Sequence, residues 1–441
     1  MSEVNENLVA GLWSGHDCSY CILDKGSPVI HAEYERYIRE KEPPGDSFAI
    51  LKKDFDKHDT IKYFATCHQA NNITEQDSYK ELQEVIEKNG GSLHVVSHHL
   101  SHASNAFFSS NFDKSIIITI DGGGNTTEST GTGTGIYLGQ GNKVEKLFVF
   151  DEHDINIGKI WTRATRYIFK MHTGHPLGHK AGTVMALGAM GKPLYENEFY
   201  QIITDSALSA RARRYCPGDQ KRGIFDPEKD NEHPIWNKWR VLAAQSEEEK
   251  FNIATSLQAA TERVVKELID KAISLANDDS ITNLCLSGGV SLNSVCTGKI
   301  YDWYEGRINN IYVPPAPNDA GLSIGAAQYV WHHVLENKRV LWQDNFTPYL
   351  GKKYTNQQII DTLEKYKSEN FYKLEANDSD VAVLLDKGSI VSVFGGGSES
   401  GKRALGNRSI LADPRSPTMK DVINEKVKHR EWYRPFAPSI L

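Results

Sequence analysis

The sequence predicts an α/β protein of two related lobes facing a cleft, followed by a further unit of helices and strands. Three observations carry this. A buried strand, SIIITIDGGG, ends in an acidic residue and a glycine cluster in the first half, and a second glycine-tipped strand, NLCLSGGVSLN, lies in the second half. The chain opens as a hairpin, LVAGLWSG then SYCILDKG, which is not the start of a dinucleotide-binding fold. At 441 residues it exceeds what one ordinary core accommodates.

In order, PVIHAEYERYIREK reads as a third strand running into a charged helix. SHHLSHASNAFF is a helical stretch, and TGIYLG continues the sheet begun by SIIITID. The polar stretch SALSARARRYCPGDQKRGIFDPEKDNEHPIWNKWR reads as an inserted subdomain or lid, about 205–245, with cations between Arg211 and Arg222 and two tryptophans, Trp236 and Trp239. NIATSLQAATERVVKELIDKAISLAN has the periodicity of a long helix. The pattern resets near WQDNFTPYLGKKYTNQQ, so the expected units are 1–345 and 346–441.

Composition excludes several classes. Hydrophobic residues at 39% and charged residues at 24% leave no case for wholesale disorder. No basic segment leads into an apolar one at the N-terminus, and nowhere do about 18 apolar residues run together. A cytoplasmic protein without membrane partners is therefore expected. Six cysteines are too sparse for a disulfide framework, and Cys18-x-x-Cys21 reads as buried thiols in a strand. A net charge of −7 makes the whole molecule no obvious polyanion binder.

The chemistry concentrates in a few places. His98 and His102 are four apart and project from one face of a helix, and His99 with His102 is the alternative pair. Asp121 and Asp319 each sit at a predicted strand end or loop opening on the same cleft. Asp121 also reads as a turn-former before glycines, and Asp319 as a helix N-cap. A set of two histidines and two aspartates suits iron, manganese or zinc rather than a thiolate-loving metal. Gly122, Gly123, Gly124 and Ser287, Gly288, Gly289 would let backbone N–H groups approach an anion.

The C-terminal stretch packs Lys402, Arg403, Arg408, Arg415, Lys428, Arg430 and Arg434 among glycines and prolines. Guanidinium groups near glycine turns imply a polyanionic small ligand, a nucleotide plus an acyl phosphate.

GHDCSYCIL, AEYERYIREK, SHHLSHASNAF, IDGGGN, LSGGVSLN, PAPNDAGLSIGAA, SGKRALGNRSILADPR and KHREWYRPFAPS fall in order from about residue 9 to 441. Together they make the chain resemble the O-carbamoyltransferases of the nodulation-factor and antibiotic-tailoring group. The resemblance implies duplicated actin/sugar-kinase-type (ribonuclease H-like) lobes and a YrdC-like α/β C-terminal domain. It implies that carbamoyl phosphate and ATP, with Mg, give carbamoyladenylate and pyrophosphate in the C-terminal domain. The carbamoyl group then passes to an acceptor hydroxyl at a metal-bearing N-terminal site, with iron or another divalent metal.

Carried over by the resemblance, the metal ligands are His98, His102, Asp121 and Asp319, and the activation site uses Arg403, Lys428 and Arg434. His16 and Asp17 fall near the transfer site, and Gly288, Gly289 and Asn293 on the nucleotide side. Thr183 stands where relatives have a lysine and Lys402 where a proline is usual. The family normally continues past RPFAPS, so an incomplete activation domain, weak in the first step, is expected.

The acceptor is a small metabolite or sugar hydroxyl, or a hydroxymethylated pyrimidine in a DNA modification. For the second, the stretch Arg211 to Arg240, with Tyr215, Trp236 and Trp239, would track phosphates and stack a base. The competing readings are a tRNA threonylcarbamoyl transferase-like enzyme and a non-catalytic actin-like nucleotide-binding regulator, and a homodimer is left open.

Overall fold

The first strand, β1 (Asn5–Trp13), shows how the molecule is layered. Successive side chains of a strand point to opposite faces, so Leu8, Ala10 and Leu12 join one core cluster while Val9 and Trp13 join another. Both faces of the sheet are therefore covered. Cys18 and Cys21 divide in the same way between the two clusters, buried as free thiols.

The computed structural model describes residues 4–67, 73–124, 132–151, 154–171, 180–214, 233–341, 347–366 and 377–438. The chain divides into two compact units, Met1–Phe346 and Thr347–Leu441. In the first unit, β1 is followed by β2 (Ser19–Asp24), β3 (Ser27–Glu33), the short helices α1 (Glu35–Ile38) and α2 (Ser47–Asp54), β4 (Ile61–Cys67), α3 (Tyr79–Lys88), β5 (Ser92–Val96) and α4 (His98–Phe108). The strands form one sheet in the order β3-β2-β1-β4-β5.

The second half repeats this plan. β6 (Lys114–Ile120), β7 (Thr134–Gln140), β8 (Lys143–Val149), β9 (Asn283–Ser287) and β10 (Asn310–Tyr312) form a sheet in the order β8-β7-β6-β9-β10. In each sheet the first three strands are antiparallel neighbours and the last two run parallel to the first. Two copies of a 3-2-1-4-5 sheet make the duplicated actin/sugar-kinase-type arrangement.

The helix that closes each lobe packs on the other lobe's sheet. Ala103, Ala106, Phe107 and Phe108 of α4 bury against Ile117, Tyr137 and Cys285 of the second sheet. The helix we label α7 (Leu322–Gln328) follows β10 and buries Leu322, Ile324, Ala326 and Ala327 against Val9, Cys21 and Ala65 of the first. This exchange brings α4 and α7 against each other.

α5 (Ile157–Tyr167) starts at Asn156, whose side chain accepts from the Lys159 amide. The long helix α6 (Glu247–Ala276) begins earlier than its apolar period. Ser246 accepts from the Glu249 amide and three glutamates fill the first turn, where carboxylates complement the helix dipole.

The inserted stretch corrects one expectation. Trp236 and Trp239 are 0% and 3% exposed. The Trp236 indole donates to the Ala212 carbonyl at 2.8 Å, and Trp239 packs on Phe199 with ring centres 4.6 Å apart. They are core residues that hold the short helices Glu196–Thr204, Ser206–Ala212 and Asn237–Ala243 together, so they offer no surface for stacking a base. Tyr215 and Arg222 lie outside the described residues.

In the second unit α8 (Asn356–Lys365) and α9 (Asp378–Asp386) each start with a capping box, at Thr355/Gln358 and Asn377/Asp380. β11 (Val391–Phe394) and β12 (Arg408–Leu411) pair antiparallel. Among the described residues no helix is long and apolar enough to cross a membrane.

Candidate metal centre

α4 begins at His98, directly after β5. The helical period puts His98 and His102 on one face, and turns His99 toward β6. There His99 Nδ1 meets Thr119 Oγ1 at 2.8 Å and Nε2 meets the Thr132 carbonyl at 3.0 Å. Since a carbonyl can only accept, Nε2 carries the proton. Burial and the neighbouring histidines push His99 down to about 3, so it is a neutral structural pin.

Asp121 follows β6 directly, and Asp319 opens the turn that leads into α7. One nitrogen or oxygen from each of His98, His102, Asp121 and Asp319 lies within 4.8 Å of all the others. The Nε2 atoms of the two histidines are 3.1 Å apart, and each is 3.2 Å from Asp121 Oδ2. Asp319 Oδ1 lies 3.5 Å from His98 Nε2 and 3.3 Å from His102 Nε2.

Donors held about 2.1 Å from one cation are about 3.0–3.4 Å apart at octahedral or tetrahedral angles. The observed spacings lie in this range, with Asp319 to His98 just above it at 3.5 Å. Two imidazoles and two carboxylates without a thiolate suit iron, manganese or zinc.

Each carboxylate divides its oxygens between the cluster and a partner. Asp121 Oδ1 accepts from the amides of Gly122 at 2.7 Å and Gly289 at 3.2 Å. Asp319 Oδ2 meets His16 Nε2 at 3.1 Å, and His16 Nδ1 meets Asp17 Oδ2 at 3.2 Å.

The electrostatics favour positive charge. Burial opposes ionisation of Asp121, but hydrogen bonds from His102 and His98 outweigh it and hold the carboxyl well below its usual range. Burial likewise opposes the charge on His102, yet Asp121 and Asp319 push it up to about 9. At His16, burial is outweighed by Asp319, Asp17 and Asp121, which push it up to about 10. About a quarter of the His16 side chain, 27%, stays exposed, so solvent tempers this effect.

The glycine turns do a different job from the phosphate cradle the sequence suggests. The amides of Gly122 and Gly289 are occupied by Asp121, and that of Gly288 donates to the Pro317 carbonyl at 2.8 Å. A Cβ on Gly123 would come within 3.4 Å of the Lys159 ammonium, and one on Gly124 would overlap the His98 ring. The turns let the backbone close on the side chains of Asp121 and His98.

Gly288 is the most constrained of them, with φ at +89° and the Ile120 carbonyl 2.2 Å from where a Cβ would stand. Gly288→Ala is expected to cost at least about 2 kcal/mol of stability. A melting temperature equal to that of the parent protein would refute this.

Ser287 and Asn293, expected near a nucleotide, also serve the framework. Buried Ser287 lies with its Oγ 3.5 Å from His102 Nδ1, behind the cluster. Asn293 Oδ1 caps the next helix by accepting from the Cys296 amide at 3.2 Å, and its amide nitrogen donates to Gln258 at 2.8 Å. Thr183 is buried in the helix Ala181–Leu187.

In the second unit several of the cations serve structure. Arg408 bonds the carbonyls of Gly395 and Gly396 and lies 3.6 Å from the centre of the Phe394 ring. Arg415 pairs with Asp413 and Asp386, and Arg430 bonds Asn424. Arg403 and Lys428 are exposed, Lys402 is half-buried, and Arg434 stands 3.8 Å from Glu431.

Sequence reasoning passed over Glu399. It is buried, and Oε1 accepts from the amides of Leu405, Asn407 and Arg408, so the SGKRALGNR loop is wrapped around it. Burial opposes its charge, but those amides hold its carboxyl below the usual range.

Trp13 was also missed. Its indole donates to the His16 carbonyl at 2.7 Å and its ring meets His98 edge-on at 5.9 Å. An aromatic at a strand end carries no local signal beyond core packing.

Residues 70–328 match the family described as carbamoyltransferase N-terminus, and 382–441 the carbamoyltransferase C-terminus. An uncharacterized protein of Synechocystis sp. is 34% identical over 367 residues, covering 78% of this chain and 54% of that protein. Nodulation protein NolNO of Sinorhizobium fredii is 32% identical over 357 residues, covering 79% of this chain and 47% of that protein. An uncharacterized protein of Methanocaldococcus jannaschii is 28% identical over 448 residues, covering 98% of this chain and 78% of that protein. The chain spans about half the length of the first two. With the N-terminal match running over more than half of its residues, the chain belongs to the carbamoyltransferase family.

Proposed function

We propose that this protein is an ATP-dependent O-carbamoyltransferase, in which carbamoyl phosphate, water and ATP yield carbamoyladenylate, phosphate and pyrophosphate, and the carbamoyl group then passes to an acceptor hydroxyl. The observation that carries the reading is the cluster of His98, His102, Asp121 and Asp319 in a chain of the carbamoyltransferase family. A divalent metal held by these four residues would supply Lewis acidity toward the carbonyl oxygen.

The protein's own groups do the rest. In the transfer step the acceptor oxygen bonds to the carbamoyl carbon, the bond from that carbon to the adenylate phosphate oxygen breaks, and AMP leaves. The hydroxyl proton leaves with the departing phosphate oxygen of AMP, and His16, held as a cation between Asp17 and Asp319, offsets the negative charge that develops on the reacting carbonyl. Trp13 fixes the backbone at His16 and so the direction of that ring. In the second unit we assign Arg403, Lys428 and Arg434 to the phosphates of ATP and carbamoyl phosphate, where guanidinium forks suit phosphate oxygens.

For the acceptor we favour a small metabolite or sugar hydroxyl over DNA, because Trp236 and Trp239 are buried and cannot stack a base. The test is a screen for mass gain of one carbamoyl group with ATP and carbamoyl phosphate, across small alcohols, sugars, nucleosides and hydroxymethylated DNA. Carbamoylation of a small alcohol is expected. Modification of DNA alone, falling steeply with salt, would overturn the choice of acceptor, and modification of none would overturn the function.

A further inference from the structure

We infer that Asn105 and Gly325 are positioning residues that set the distance between the histidine pair on α4 and Asp319 at the head of α7. This rests on the metal reading proposed above. The histidines and Asp319 stand more than 200 positions apart in sequence, on two helices that pack directly against each other. Four donor atoms within 4.8 Å tolerate little sliding of one helix along the other.

Two contacts remove that freedom. At Gly325 the helices meet backbone to backbone: a Cβ there would stand 1.8 Å from the Ser101 carbonyl oxygen and 3.0 Å from the Asn105 amide. Ser101 directly precedes His102, so any thickening at Gly325 pushes on the turn that carries both histidines.

The second contact is the Asn105 side chain, 1% exposed and one turn beyond His102. Its Nδ2 donates to the Ala316 carbonyl at 2.9 Å, and a Cβ on Gly321 would come within 2.4 Å of the same nitrogen. Asn105 thus lodges between the residues that flank Asp319 on either side, while the nearby Ser109 hydroxyl, 3.4 Å away, donates to its Oδ1. Neither Asn105 nor Gly325 belongs to the donor cluster, so each acts through the spacing of others.

A purely structural role would make every buried bond between these helices equivalent, and the same pair supplies the control. Gln328 Nε2 donates to Ser109 Oγ at 3.1 Å, joining α7 to the far end of α4. Gln328→Ala removes a bond of the same kind, remote from Asp319.

The test titrates the full-length chain, stripped of metal, with Co2+ alone, read by calorimetry and by the visible absorption of the bound ion, beside a thermal melt. The parent chain is expected to bind one Co2+. Asn105→Ala and Gly325→Ala are expected to bind it about 10- to 100-fold more weakly with a changed spectrum. Gln328→Ala is expected to lose stability but keep the parent affinity and spectrum. If Gly325→Ala does not fold, Asn105→Ala decides.

Parent affinity and spectrum in Asn105→Ala would overturn the inference, as would an equal weakening in Gln328→Ala. A parent chain that binds no Co2+ would overturn the metal reading itself, and this inference with it.

Discussion

Asp319→Ala is expected to abolish carbamoyl transfer, by about a thousandfold or more, while the protein stays folded. The size follows from the two oxygens of this carboxylate, one facing His98 and His102 and the other His16. Removing it takes a donor from the cluster and leaves His98 and His102 with Asp121 alone and His16 with Asp17 alone, so metal affinity and the hold on His16 fail together. His98→Ala should act similarly through the metal alone. Feeding chemically prepared carbamoyladenylate isolates the transfer step, and pyrophosphate release from ATP and carbamoyl phosphate reads the first step, which both variants should keep. Transfer that persists in both variants would remove the cluster from the mechanism.

Arg339→Ala is expected to destabilise the first unit by about 3 kcal/mol. The last carbonyls of a helix lack partners within it. Arg339 reaches across to the end of α4, bonding the carbonyl of Phe107 in its last turn and those of Ser110 and Phe112 in the segment that follows. Its guanidinium also lies 3.9 Å from the centre of the Phe107 ring. Burial lowers it to about 10, so at neutral pH it remains a cation held by carbonyl oxygens and an aromatic face. Arg339→Lys should recover only part of the loss, since an ammonium cannot spread its donors over three acceptors in one plane. A fall in melting temperature measures this, and a loss below about 0.5 kcal/mol would show that water replaces the guanidinium.

The readings that matched the structure rest on local periodicity. Strict alternation in LVAGLW sends neighbouring residues to two cores, and the four-residue spacing of His98 and His102 needs only a helix to put them on one face. The readings that needed correction concern what a side chain or amide meets at long range. Trp236 and Trp239 sit in a basic, polar stretch that suggests exposed rings, yet three neighbouring helices enclose them. The glycine turns look like anion cradles, but the amides of Gly122 and Gly289 are taken by the carboxylate of Asp121.

The sequence by itself determined the strands and helices, the two glycine-tipped halves and the helical face shared by His98 and His102. Hydrophobic periodicity and turn chemistry are properties of neighbours along the chain. Only the tertiary structure decided that α4 crosses to the second sheet and α7 to the first, which brings Asp121, Asp319 and His16 to the two histidines. Where they meet, α4 and α7 touch backbone to backbone at Gly325, and Asn105 bonds the Ala316 carbonyl. Close packing between elements far apart in sequence fixes such distances, and no local pattern encodes them.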